Sequence, residues 1–404
     1  MNQSEVIDAR NEALHELESV LGYTWQDYQT ETYHDWEDQG YERACLYYRT
    51  GAGKSITSLV MMKLRGKDDV LVIAPPSTHD TWHKQAALLG MTVTTISHAK
   101  FRQPGYKVSR HTAVIADEFH MFGGHGGKGF MKFDTLARHL QAPLILCSAT
   151  PNYNDAERVY CIKHVLDPRG TSGGYIQFLV QNCNTKMNPY GIEPLVDEDN
   201  PFLHFDSAEN FLRSLPGVYH VPDNVVFQIE EHDVDIPLPD ELGKYGYERR
   251  NHRMVASAME MRHTEVQLKL IMEDGFLDVQ VHKLIDQVCA GYEPVLIFCN
   301  HQTVAAALSL SLFDAKQVHG LVDGTLSTKT KARIIEEFRR GNIPVLVGTA
   351  SLATGTDGLD KVCDMLIIVD DTDDDALRRQ LIGRIMPRGA DVDASAKRVI
   401  RINV

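Results

Sequence analysis

Three observations predict an α/β fold of two tandem parallel-sheet domains. Short apolar runs, DVLVIAPP (69–76), HTAVIADEFH (111–120) and APLILCSATP (142–151), alternate with helix-like stretches early in the chain. Buried parallel strands joined by crossover helices read this way, because both strand faces are covered. The same grammar returns late, in EPVLIFCN (293–300), IPVLVGTA (343–350) and DMLIIVDD (364–371). Length agrees: at 404 residues the chain exceeds what one core usually organises, since chains divide beyond roughly 250–300 residues.

In order along the chain, residues 1–22 carry Leu14, Leu17, Val20 and Leu21 at helical spacing, which predicts an amphipathic packing helix. LYYRTGAGKS (46–55) follows as a glycine-rich turn. The segment 168–222 is richer in Gly, Pro and Asn and has weaker periodicity. VVFQIEEHDVDIPLP (225–239) reads as a strand opening the second unit, so the domains are placed at 1–222 and 223–404. No repeat of solenoid period is present.

Composition narrows the class. With 43% hydrophobic and 24% charged residues the chain reads as a globular protein without long disorder. The N-terminus has no basic segment leading into an apolar one, and no run of about 18 apolar residues occurs, so the cytoplasm is the expected location and no membrane partner is expected. Seven cysteines without a CxxC pair, several inside apolar runs, read as reduced core thiols. A net charge of −14 argues against a basic coat. It leaves room for a phosphate-binding groove built from amides and hydroxyls.

A loop that holds a triphosphate needs glycines where consecutive N–H groups turn inward, a lysine for the β/γ-phosphates and a hydroxyl for Mg²⁺. Gly51, Gly53, Lys54 and Ser55 meet these needs, although the full pattern GxxxxGK[ST] wants glycine where Tyr48 stands. Further on, AVIADEFH ends an apolar strand in Asp117 and Glu118. One carboxylate for Mg²⁺ and one to activate water is what an ATPase requires at that place.

TGAGKS, DEFH, SAT (148–150), ATGTDGLD (353–360) and QLIGR (380–384) together resemble motifs I, II, III, V and VI of the superfamily 2 DExH-type helicases and translocases, in their order and over nearly the whole chain. Members of that superfamily commonly lack the first phosphate-loop glycine. The resemblance implies two RecA-like domains with ATP in the cleft between them and Mg²⁺ as the metal. Thr50, Gly51, Ala52, Gly53, Lys54 and Ser55 would cradle the phosphates, Gln29 would read the adenine edge, and Ser55 with Asp117 would hold Mg²⁺. Glu118 would polarise the attacking water, while His120, Ser148 and Thr150 would couple phosphate state to domain closure. In the second domain Gly355 and Asp357 would face the nucleotide, and Gln380 and Arg384 would neutralise charge on the transferring phosphoryl group. The family spacing puts a second arginine at 387, but Pro387 stands there and Arg388 follows one place late. Arg384 is therefore the firmer finger, with Arg388 either substituting or lying at the surface.

Polymer contacts are expected at Pro75 and Ser77, at His98, at Asn300 and His301, and at Thr349 and Thr354, segments rich in hydroxyls and amides that touch backbone more than bases. The stretch 323–351 and DEFH in place of DEAD resemble the DNA-translocating branch, which includes Swi/Snf-like and phage or bacterial repair helicases. A phage-encoded chain would work in the host cytoplasm. DNA, single-stranded, duplex or branched, is the expected track, with RNA as the alternative and partner proteins supplying targeting. A rival reading is a nucleotide-gated switch that clamps a protein partner. The acidic run DDTDDD (370–375) followed by Arg378 and Arg379 reads as a helix start matched to its dipole. FGGHGGKGF (122–130) reads as a mobile loop that touches nucleic acid or only connects.

Overall fold

The computed structural model describes residues 3–49, 51–149, 156–189, 191–195, 202–221, 229–235, 281–283, 285–286, 294–352, 358–372, 375–386 and 397–403. The chain divides into two compact units, Met1–Val225 and Val226–Val404. Each is an α/β domain built on a parallel six-stranded sheet.

The first unit opens with helices α1 (Gln3–Leu21) and α2 (Asp27–Gln39) and then strand β1 (Arg43–Tyr47). Helix α3 (Lys54–Leu64), β2 (Asp69–Ile73), α4 (His79–Leu88), β3 (Thr92–Ile96), α5 (His98–Arg102) and β4 (Ala113–Ala116) follow. After α6 (Lys128–His139), β5 (Leu144–Ser148), α7 (Ala156–Leu166) and α8 (Gly174–Asn182), a separate antiparallel ribbon forms from β6 (Thr185–Asn188) and β7 (Gly191–Pro194). Helix α9 (Ala208–Arg213) then leads into β8 (Val218–His220). The main sheet is wholly parallel in the order β3-β2-β4-β5-β1-β8, so β5 is inserted between the strand that feeds the glycine loop and the strand that leads into Asp117.

Alternation along each strand sends side chains to opposite faces. Cys45, Leu71, Ile73, Val114, Leu144 and Leu146 enter one apolar core with α6 and α7, while Ala44, Leu46, Val70, Val72, Ile115 and Ile145 enter the other with α2, α3 and α4. Two covered faces explain why these strands are uninterrupted apolar runs. Helix α1 packs through Leu14, with Leu17 and Leu21 partly covered, whereas Val20 is 57% exposed and does not join the apolar stripe expected of it.

The glycine-rich segment after Asp117 packs instead of standing off as a free loop. A Cβ on Gly124 would collide with the Glu157 carboxylate of α7, and one on Gly129 would come within 2.4 Å of the Phe122 carbonyl. His125 is held between the Glu157 carboxylate at 2.7 Å and the Tyr175 ring at 4.3 Å. These glycines allow close approach.

In the second unit β9 (Ile229–Asp235), β10 (Val295–Cys299), α10 (Gln302–Asp314), β11 (His319–Val322), α11 (Thr328–Arg339) and β12 (Val345–Gly348) precede β13 (Met365–Asp370), α12 (Asp375–Ile385) and β14 (Lys397–Asn403). Their sheet is again wholly parallel, in the order β11-β12-β10-β13-β14-β9. Val295, Ile297, Val345, Val347 and Ile367 face one core; Leu296, Phe298, Leu346, Leu366 and Ile368 face the other. The edge strand β9 reads IEEHDVD, and charges of this kind protect an open edge from pairing with another chain. Ahead of α12, Arg378 donates to both oxygens of Asp371 at 3.1 Å, so part of the acidic run is engaged with the helix that follows it.

The described cysteines, Cys45, Cys147, Cys161, Cys183, Cys299 and Cys363, are free and buried. Burial pushes the Cys45 and Cys363 thiols up to about 12, so they pack as small apolar groups. Among the described residues no helix is long and apolar enough to cross a membrane.

Candidate active site

Strand β1 ends at Tyr47 and the chain turns through 48–53 into α3. Gly51 and Gly53 both lie in the left-handed region, at φ 82° and 80°. Gly53 meets a second constraint, because a Cβ there would come within 2.5 Å of the Gln29 amide nitrogen. The first turn of α3 carries no acidic residue, so its exposed N–H groups and dipole remain available to an anion. Ser55 lies half-buried in that turn.

Tyr48, standing where the fuller pattern has glycine, turns away from the loop. Its ring is fully buried edge-on to Tyr28 and its hydroxyl lies 2.5 Å from that of Thr32. The side chain thus strengthens the core beneath the loop without filling it. Lys54 Nζ donates to the Tyr48 and Arg49 carbonyls at 3.0 and 3.3 Å, which keeps the ammonium over the loop.

Gln29 is 2% exposed, and its amide is bound within the protein. Its oxygen accepts from the Tyr23 hydroxyl at 2.8 Å and the Gln26 N–H at 3.1 Å, and its nitrogen donates to Thr57 of α3 at 2.7 Å. Gln29 therefore ties the start of α2 to the phosphate-loop helix. Thr57 was not singled out in the sequence, since nothing local marks it.

Asp117 is 6% exposed, one residue beyond β4. Its Oδ1 accepts the Glu118 N–H at 3.0 Å and its Oδ2 accepts the Trp82 indole N–H at 3.4 Å. Burial, and then the charge of Glu118, push this carboxyl upward, while the Lys54 charge opposes them. Glu118 adopts φ 47°, ψ 56°, a left-handed conformation costing a residue with a Cβ about 1–2 kcal/mol. Strain of this kind concentrates at functional positions. Its Oε2 is buried without a hydrogen bond among the described residues, and His120 Nδ1 lies 3.5 Å from it. The same Nδ1 is 3.3 Å from Ser148 Oγ at the end of β5, so Glu118, His120 and Ser148 form one chain of contacts across neighbouring strands.

These groups suit Mg²⁺ and a nucleotide. Mg²⁺ is a hard cation that takes one or two protein oxygens and completes its shell with substrate phosphate and water. A buried carboxylate disfavoured by its own burial, under the influence of the Lys54 ammonium, is such a donor, and a divalent charge would offset the desolvation that raises Asp117.

The expected polymer contacts separate on inspection. Ser77 is exposed, and Asn300 and His301 are half-buried. Pro75, His98 and Thr349 are buried. His98 is 2% exposed, edge-on to Phe122, and its Nε2 donates to the Asp117 carbonyl at 2.9 Å. Burial pushes its imidazole down to about 4, which leaves it neutral at physiological pH. In the second unit the His301 main-chain N–H and Nδ1 both reach Asp370 Oδ2, at 2.8 and 2.7 Å, so the buried Asp370 fixes that ring. Gln380 and Arg384 lie buried on α12. Thr50, Thr150, Thr354, Gly355, Asp357 and Arg388 lie outside the described residues.

The helicase conserved C-terminal domain family matches residues 280–389. No curated protein matches the chain. Among solved structures, the SWI2/SNF2 ATPase core of Sulfolobus solfataricus in complex with double-stranded DNA is similar at 15% identity and TM-score 0.42, covering 94% of this chain and 88% of that one. The helicase domain of Hef from Pyrococcus furiosus is similar at 14% identity and TM-score 0.46, over 93% of this chain and 95% of that one.

Proposed function

We propose that this superfamily 2 helicase-type chain is an ATP-driven motor that moves along nucleic acid, with DNA as its track and little sequence preference. The observation that carries the reading is the convergence, in the first unit, of the Gly51–Ser55 loop with Asp117, Glu118, His120 and Ser148 beside three adjacent parallel strands. Lys54 and the first turn of α3 would hold the β/γ-phosphates, and Ser55 with Asp117 would hold Mg²⁺. Bound Mg²⁺–ATP would supply the phosphoanhydride to be cleaved and a cation that neutralises its charge. Glu118 would accept the proton of the attacking water, with His120 relaying the state of that carboxylate to Ser148. Gln380 and Arg384 take the charge-neutralising role that the family resemblance gives them.

Ser77, Asn300 and His301 offer the accessible polar groups for a sugar-phosphate backbone. Such contacts suit an acidic protein, since hydroxyl and amide donors bind phosphate without a basic coat. The preference for DNA over RNA rests on the resemblance of 323–351 to the DNA-translocating branch. A protein-clamping switch would use the same nucleotide chemistry without moving along a track. The two are separated by ATP-dependent displacement of streptavidin from biotin-ended DNA. A motor displaces it with ATP and fails with a non-hydrolysable analogue; ATP turnover without displacement on any DNA or RNA would favour the switch.

A further inference from the structure

Asp117 is gripped at three atoms by the two segments that precede it in the sheet. Its main-chain N–H donates to the Ile73 carbonyl at 2.9 Å, at the end of β2. Its Oδ2 accepts from the Trp82 indole on α4, and its carbonyl accepts from His98 at the start of α5. Between Ile73 and Trp82 runs the segment that carries exposed Ser77. That segment is itself closed: Thr78 Oγ1 donates to the Pro75 carbonyl at 2.9 Å, His79 Nε2 to the Ala74 carbonyl at 3.1 Å, and the Ala74 N–H to Ile96 of β3 at 2.9 Å. A displacement at residues 76–78 would be carried along α4 towards Trp82, which is 1% exposed and close-packed.

The geometry points to Trp82 as a positioning residue that transmits polymer binding at 76–78 to the Asp117 carboxylate, with His98 as the second brace. The indole contact, at 3.4 Å, is longer than usual for a hydrogen bond, so a small shift of α4 would tighten or release it. Apolar packing alone would not require an N–H at that spot. The carboxylate and the indole meet because α4 folds back over β4, a relation no sequence spacing reveals.

This inference rests on the motor reading. It is tested with Trp82→Phe, which keeps an aromatic ring and removes the donor. Steady-state ATP turnover is measured with no polymer, with single-stranded DNA and with duplex DNA, together with DNA affinity. The expected result is a fall of at least about fivefold in the ratio of stimulated to unstimulated rate, with DNA affinity within about twofold of wild type, since fivefold is about 1 kcal/mol, the net value of one hydrogen bond. Damage to the site in general would lower both rates together and leave the ratio intact, and that outcome overturns the proposal. His98→Leu should reduce the same ratio, and His98→Gln, which keeps a donor at similar reach, should restore it; these variants decide the matter if Trp82→Phe does not fold. Stimulation surviving in both Trp82→Phe and His98→Leu overturns the coupling alone. A wild-type protein that no polymer stimulates overturns the motor reading and the coupling with it.

Discussion

Lys54→Ala should lower ATP turnover by roughly 10²–10³-fold, the usual cost of removing one preorganised donor aimed at developing charge. The expectation follows from where the ammonium is held. Lys54 begins α3, and its Nζ is bound by the Tyr48 and Arg49 carbonyls over a loop whose turn requires left-handed glycines at 51 and 53. Removing the side chain leaves those glycines, the Tyr48 core contact and the Gln29–Thr57 tie in place. The variant should thus fold, as judged by circular dichroism and thermal melting, while losing turnover and much of its nucleotide affinity. A folded Lys54→Ala protein that hydrolyses ATP at the wild-type rate would remove the phosphate-loop assignment.

Glu118→Gln separates binding from chemistry. The substitution conserves volume and leaves the left-handed backbone unchanged, but an amide cannot accept the proton of an attacking water. Hydrolysis should fall by roughly 10²–10⁴-fold, the range for loss of a positioned general base. Nucleotide affinity should stay within a few-fold, because the phosphates are assigned to Lys54 and the amides of α3. Single-turnover hydrolysis beside a nucleotide titration reads both quantities. Should hydrolysis persist, the base lies elsewhere, and His120, with Nδ1 3.5 Å from the Glu118 carboxylate, is the next group to test.

Much of the frame was legible in the chain because a strand buried on both faces cannot hide its composition. The runs around β2, β4, β5, β10, β12 and β13 were all visible as uninterrupted apolar stretches. Strands β3, β11 and β14 escaped notice for a physical reason: TVTTI, HGLV and KRVIRIN mix polar residues with apolar ones, as strands at or near a sheet border do. The loop and Asp117-Glu118 were legible because phosphate and metal chemistry admits few residue types. Side-chain burial set by tertiary placement was not legible. His98 looks like a surface donor in SHAKFR, yet the turn into α5 sends it under Asp117. Gln29, expected to read the adenine edge, is held against α3 by the capping of α2, a placement that local sequence does not show. Trp82 carried no signal, since its partner lies 35 residues away, just beyond β4.

The central claim, that ATP turnover in the first unit is tied to a nucleic-acid track, is tested most directly by steady-state ATPase. Wild-type protein is assayed without polymer and with single-stranded DNA, duplex DNA, forked DNA and single-stranded RNA, and Glu118→Gln sets the background. The account predicts at least about a tenfold rise with one or more DNA forms, equal to 1.4 kcal/mol or more of added transition-state stabilisation. Turnover well above the Glu118→Gln background that no DNA or RNA raises would contradict it.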